Sequence, residues 1–133
     1  MIAHASGTFE VAMTPEGEPQ TTPGASLGAM SIDKTYSGDL VGKGVGRMLS
    51  AMTEVKGSAG YVAIERVSGT LHGRTGSFVL QHSGTMSRGA QQLVITIVPD
   101  SGTGELAGIT GSKMIRIVEG KHFYDMDYEL AHA

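Results

Sequence analysis

Glu65 and His82 are the two residues of this chain whose types and placement suit acid–base chemistry or the polar anchoring of a ligand. They lie in two apolar, strand-like stretches, Tyr61-Val62-Ala63-Ile64-Glu65-Arg66-Val67 and Phe78-Val79-Leu80-Gln81-His82, which flank a turn within His72-Gly73-Arg74-Thr75-Gly76. Residues 60–87 therefore read as one β-hairpin. A turn centred between Gly73 and Arg74 pairs Tyr61 with Met86, Ala63 with Gly84, Glu65 with His82 and Val67 with Leu80. Side chains alternate along a strand, so these residues share one largely apolar face. A carboxylate beside an imidazole favours the charged form of both, while burial opposes it. Such a pair serves as a general acid and base, or as the polar anchor of a pocket. It serves equally as a structural ion pair, since those perturb pKa values too.

Other chemistry-bearing residues give weaker signals. Tyr36, Tyr61, Tyr124 and Tyr128 each offer an apolar body with a polar tip, which suits a ligand or plain packing. Lys34, Arg47 and Arg116 are expected on the solvated outer face, although turned inward they would form an anion subsite. The histidines at 4, 72, 82, 122 and 132 are dispersed, and Asp125 and Asp127 alternate away from His122, so no metal site is expected. Gly24-Ala25-Ser26-Leu27-Gly28 matches the serine-hydrolase string, but it lies in a proline-rich loop with no helix to follow, and it is rejected. Gly42, Gly44 and Gly46 bare one face of a strand, which fits a bent strand or a close approach and not a nucleotide-binding loop. No cofactor motif is found.

The elements that must position Glu65 and His82 are all strands. The 133 residues read as a single domain with 20 glycines and only 4 prolines, a pattern of short strands and tight turns. The expected strands span residues 2–13, 29–36, 40–51, the two arms of the central hairpin, 91–98, 112–119 and 122–130. Residues 14–28 read as a Pro/Gly-rich loop suited to a flap over a barrel mouth. Strand 91–98 is apolar on both faces and is expected to be covered on both. Residues 99–111 form a glycine-rich corner with one helical turn near Glu105. Short connections favour an antiparallel meander, and eight such strands close into a barrel that hides its edges. The barrel is either filled by side chains or holds one small ligand.

Composition narrows the partners. The net charge is −3 with scattered basic residues, which argues against nucleic acid and against an anionic membrane. Zero cysteines exclude disulfides, thiolate catalysis and cysteine-based zinc sites. The first residues lack the basic and apolar regions of a signal peptide, so the cytoplasm is the expected compartment.

Three long strings resemble a family of small bacterial proteins of unassigned function. They are Lys56-Gly57-Ser58-Ala59-Gly60-Tyr61-Val62-Ala63-Ile64-Glu65, Gly76-Ser77-Phe78-Val79-Leu80-Gln81-His82-Ser83-Gly84-Thr85-Met86 and Pro99-Asp100-Ser101-Gly102-Thr103-Gly104-Glu105-Leu106. The corner Gly102-Thr103-Gly104-Glu105-Leu106-Ala107-Gly108-Ile109-Thr110-Gly111 is similar to that of allene oxide cyclase-like barrels. This looser resemblance implies a closed eight-stranded barrel, a ligand-sized interior and a homo-oligomer. It carries over no catalytic residue, because only a backbone motif matches.

The expected architecture is thus an all-β, closed, antiparallel eight-stranded barrel. The expected function is binding of a small, mostly apolar molecule by Met30, Ile32, Met48, Tyr61, Phe78, Leu80, Leu93, Ile95, Tyr124 and Met126, with Glu65 and His82 as anchors. One alternative is a cyclase or isomerase in which Glu65 and His82 are the catalytic pair. The other is a filled barrel that acts as an oligomeric interaction protein through outward residues such as Val62 and Ile64.

Overall fold

A computed structural model describes residues 2–130. Its main strands are β1 (Ala3–Pro15), β3 (Ala25–Gly38), β4 (Leu40–Thr53), β5 (Ala59–Leu71), β6 (Arg74–Ser87), β7 (Ala90–Ile97), β9 (Thr110–Val118) and β10 (Lys121–Glu129). Two short pieces, β2 (Gln20–Thr22) and β8 (Thr103–Gly104), pair with β3 and β6. The eight main strands follow the order β1-β10-β9-β7-β6-β5-β4-β3, and β3 returns to β1, so the antiparallel sheet closes as expected. No helix occurs among the described residues. None is therefore long and apolar enough to cross a membrane.

Turn chemistry sets the registers. Positive φ at His72 (48°) and Gly73 (79°) makes a two-residue turn of the kind that matches the twist of paired strands. Arg88-Gly89 and Glu119-Gly120 repeat the device between β6 and β7 and between β9 and β10. The central turn therefore lies one residue earlier than the sequence suggested, and the pairing moves by two. Tyr61 meets Gly84, Ala63 meets His82, Glu65 meets Leu80 and Val67 meets Phe78. An even shift leaves every side chain on its face, so Glu65 and His82 both stay inside, as diagonal neighbours.

Three further expectations are corrected. Residues 14–28 are not a long flap: β1 runs to Pro15, β2 folds onto the start of β3, and β3 begins at Ala25. The prolines at 15, 19 and 23 sit at a strand end and in the turns, where a missing N–H costs nothing. Nor is β7 covered on both sides, since Val94 is 61% exposed on its outer face. At residues 103–109 successive turns replace the helical turn, with Leu106 N donating to Thr103 O and Ile109 N to Leu106 O.

The core occupies one end of the barrel. Leu40, Leu71, Phe78, Tyr124 and Tyr128 are buried there, and the 103–109 turns push Leu106 and Ile109 in as a plug. At the other end the wall parts. β7 and β9 share a single ladder pair, Thr96 with Ser112, so their remaining lengths are not joined.

Candidate functional site

Midway along the barrel, five polar side chains converge. Lys34 and Tyr36 alternate inward on β3, Glu65 comes from β5, His82 from β6 and Lys113 from β9. All five are buried, Glu65 completely. Lys34 Nζ donates to Glu65 Oε1 at 2.9 Å, and His82 Nε2 donates to the same oxygen at 3.0 Å. Tyr36 OH donates to Glu65 Oε2, and Lys113 Nζ donates to the Tyr36 oxygen at 2.8 Å. Because an ionised carboxylate only accepts, His82 carries its proton on Nε2.

A missing side chain makes room for the carboxylate. A Cβ on Gly44 would lie 2.2 Å from Glu65 Oε2 and 3.1 Å from a Tyr36 ring carbon. The bare strand face read from Gly42, Gly44 and Gly46 is thus a place of close approach. Gly44→Ala is expected to cost about 1–3 kcal/mol by displacing the carboxylate from Tyr36. Urea unfolding checks this, and a stability equal to the parent would mean the carboxylate has slack.

Competing forces set the protonation states. Burial pushes the Glu65 carboxyl up, but the hydrogen bond from His82, the charges of Lys113 and Lys34 and the Tyr36 hydroxyl together hold it well below the usual carboxylate range. Burial lowers His82, and with the charges of Lys34 and Lys113 it outweighs the raising effect of Glu65, so the imidazole is neutral at pH 7. Burial, followed by the nearby Glu65, lifts Tyr36 well above the ordinary phenol value. Lys113 falls to about 7, mainly through burial, with Lys34 adding to the fall and Glu65 opposing it.

Above this cluster the flared end holds a cavity of about 420 Å³. Met30, Met48, Met52 and Met86 line it together with Tyr61 and Leu93, and Ser50, Thr85, Gln91 and Gln92 supply the polar groups. Tyr61 links the two regions, since its ring centroid lies 6.4 Å from that of His82. Of the residues expected to meet a ligand, Met30, Met48, Tyr61 and Leu93 line this cavity. Ile32, Phe78, Leu80, Ile95, Tyr124 and Met126 are instead buried in the packed interior. Tyr124 pins the β3–β4 turn, because its hydroxyl accepts from Leu40 N at 2.9 Å and donates to Ser37 O at 3.0 Å.

The same comparison with expectation holds for the charges. Arg47 and Arg116 face outward and pair with Glu16 and Asp125. Lys34 does not: it is 6% exposed, because it shares the inner face with Ile32 and Tyr36 and finds Glu65 there. Among the described residues no cluster of three or more potential metal ligands occurs.

Known proteins set this barrel in context. A family model described as "Protein of unknown function (DUF3224)" matches residues 5–128. The chain belongs to the DUF3224 family. The crystal structure of a DUF3224 protein of unknown function from Shewanella oneidensis shares 49% identity with it, at a TM-score of 0.95 and with 100% of each chain covered. No curated protein is similar to the chain. The DUF3224 chain also has a residue in its polar cluster that sequence reasoning missed, Lys113. Its facing was ambiguous, since Lys113-Ile115 and Met114-Arg116 both mix one basic with one apolar residue. The Glu119-Gly120 turn resolves it by pairing Lys113 with Met126 on the inward phase of β10.

Proposed function

We propose that this DUF3224 protein binds a small, mostly apolar molecule in the flared end of its barrel. The observation that carries this reading is the methionine-lined cavity. Its volume falls within the range of small-molecule pockets, and flexible thioethers adapt to irregular ligands.

The cyclase or isomerase reading has less support. Glu65 accepts three hydrogen bonds and is held strongly ionised, which makes it a weak base. The cluster serves better as a fixed floor than as a proton relay through this carboxylate. A homo-oligomer draws support from the outer wall, where Leu27, Leu49, Val62 and Ile64 are each at least half exposed on the neighbouring strands β3, β4 and β5.

Native mass spectrometry of protein purified from its own host tests both points together. The expected spectrum shows a stoichiometric small molecule that is released on denaturation, and it counts the subunits. Ser50→Phe, which fills the cavity from β4, is expected to abolish the bound mass while leaving thermal stability near the parent value. An empty protein that shows no thermal shift with apolar metabolites would refute the binding reading.

A further inference from the structure

The charges inside the barrel do not balance. Below about pH 7 two ammonium groups, Lys34 and Lys113, share the interior with one carboxylate, Glu65, and among the described residues each lysine has one side-chain acceptor. Both instead lean on the Phe9 ring: Lys34 Nζ is 4.9 Å from its centroid and Lys113 Nζ is 5.4 Å from it. Those contacts soften a buried positive charge but do not neutralise it. An ammonium can donate three hydrogen bonds, so Lys113 has donors to spare.

The position of Lys113 connects this surplus to the cavity. It follows Ser112, the last residue through which β9 is laddered to β7. Beyond that point the strands part, and the freed length of β7 supplies Gln91, Gln92 and Leu93 to the cavity wall. The lysine therefore stands at the root of the opening from which the cavity widens. His82 is one inward position from Gly84, another lining residue, so the cluster lies one layer below the cavity lining, which neither lysine joins.

We propose that the occupant of this cavity is an amphipathic anion, an apolar body with one carboxylate-type head, whose charge is matched by the Lys34–Lys113 pair. This rests on the binding reading above and adds the chemical class of the ligand. The apolar body sits among the methionines, and the head points toward β9. A neutral apolar ligand would leave the surplus uncompensated. A cationic one would add to it.

Binding is coupled to protons. The titratable groups around Lys113 are Lys34 and Tyr36 from β3, Glu65 from β5 and His82 from β6; β1 presents Phe9 and Ala5, which do not titrate, and β10 presents Met126 flanked on the same inward phase by Tyr124 and Tyr128, whose phenols burial pushes up. With no anion present, Lys113 titrates at about 7. An anionic head favours its charged form, so above neutrality the complex takes up a proton on forming.

Titration calorimetry with phenylbutanoate and the matching phenylbutanol tests this, in buffers of differing ionisation enthalpy, on the parent protein and on Lys113→Met. At about pH 6 the acid is expected to bind about ten-fold tighter than the alcohol, and this preference shrinks by about pH 9. Proton uptake of about half a proton per acid bound is expected at about pH 7.5, just above the free titration point. Lys113→Met is expected to bring the acid-to-alcohol ratio close to one and to remove the uptake. Equal affinities in the parent protein, or tighter binding of the alcohol, would overturn the anionic head while leaving the cavity reading intact. Acid preference that survives Lys113→Met would overturn the role of Lys113, and acid preference without proton uptake would overturn its coupling to protons. Binding of neither compound would overturn both through the cavity itself. The parent-protein ratio and the proton count are read without any variant, so a folding defect in Lys113→Met leaves both decisive.

Discussion

Glu65→Leu is expected to destabilise the barrel by about 3–5 kcal/mol, because it strands two lysines in an interior with no other buried carboxylate among the described residues. The side chain is fully buried, and its two oxygens collect Lys34, His82 and Tyr36. Removing it takes away the acceptor of three donors at once, and a buried group left unpaired loses its full hydration. Lys34 then has neither a counterion nor an acceptor. The cost is therefore one of abandonment more than of a lost attraction. The control is the triple variant Glu65→Leu, Lys34→Met, Lys113→Met, which removes the charges together. It is expected to recover most of the loss, since apolar replacement of a whole buried ionic group is often neutral. Urea unfolding of both variants decides the matter. A single-variant loss under about 1 kcal/mol would show that water reaches the cluster and solvates the lysines.

That the cluster is built around Glu65 and His82 was legible because both lie in the longest strand pair, on residues whose alternation is regular. The turn was misplaced by one residue, yet the inference about facing survived, because the resulting shift in pairing was even. Glycine also hid some of the structure. Gly44 gives no sequence signal of what fills its space, and here that is the Glu65 carboxylate itself. Lys34 was read as solvent-facing from its charge alone, and the rule failed because a partner waits across the barrel. The cavity was harder to place. Ile32, Leu80 and Ile95 share their strands' inner face with Met30, His82 and Leu93, and alternation cannot say how deep along a strand packing gives way to open space. That depth is set by the plug of Leu106 and Ile109 at one end and by the parting of β7 from β9 at the other. Both are long-range results of closure.

Stability is expected to peak on the alkaline side, near about pH 9–10, where most domains peak between about pH 5 and 8. Lys113 is the main reason. Its value falls from 10.5 unfolded to about 7 folded, so between those limits the unfolded chain binds the extra proton. Stability therefore rises with pH across that window, by at most about 1.4 kcal/mol per unit. His82 and Glu65 act in the same sense at lower pH. Both are lowered in the folded state, so their contributions are present above their unfolded values and disappear on acidification. His4 opposes them: its hydrogen bond to Asp127 raises it, but it lies on the surface, where salt screens the effect. The ceiling comes from the tyrosines. Burial raises Tyr36, Tyr61, Tyr124 and Tyr128, so above about pH 10 the unfolded chain loses phenolic protons that the folded chain keeps, and stability declines. Urea midpoints measured from about pH 5 to about pH 10 trace the curve, and Lys113→Met is expected to flatten its limb above pH 7. A peak below neutrality, or the same limb in the variant, would mean that Lys113 stays charged inside the folded barrel. The surplus positive charge would then be permanent, and the interior would attract an anion without taking up a proton.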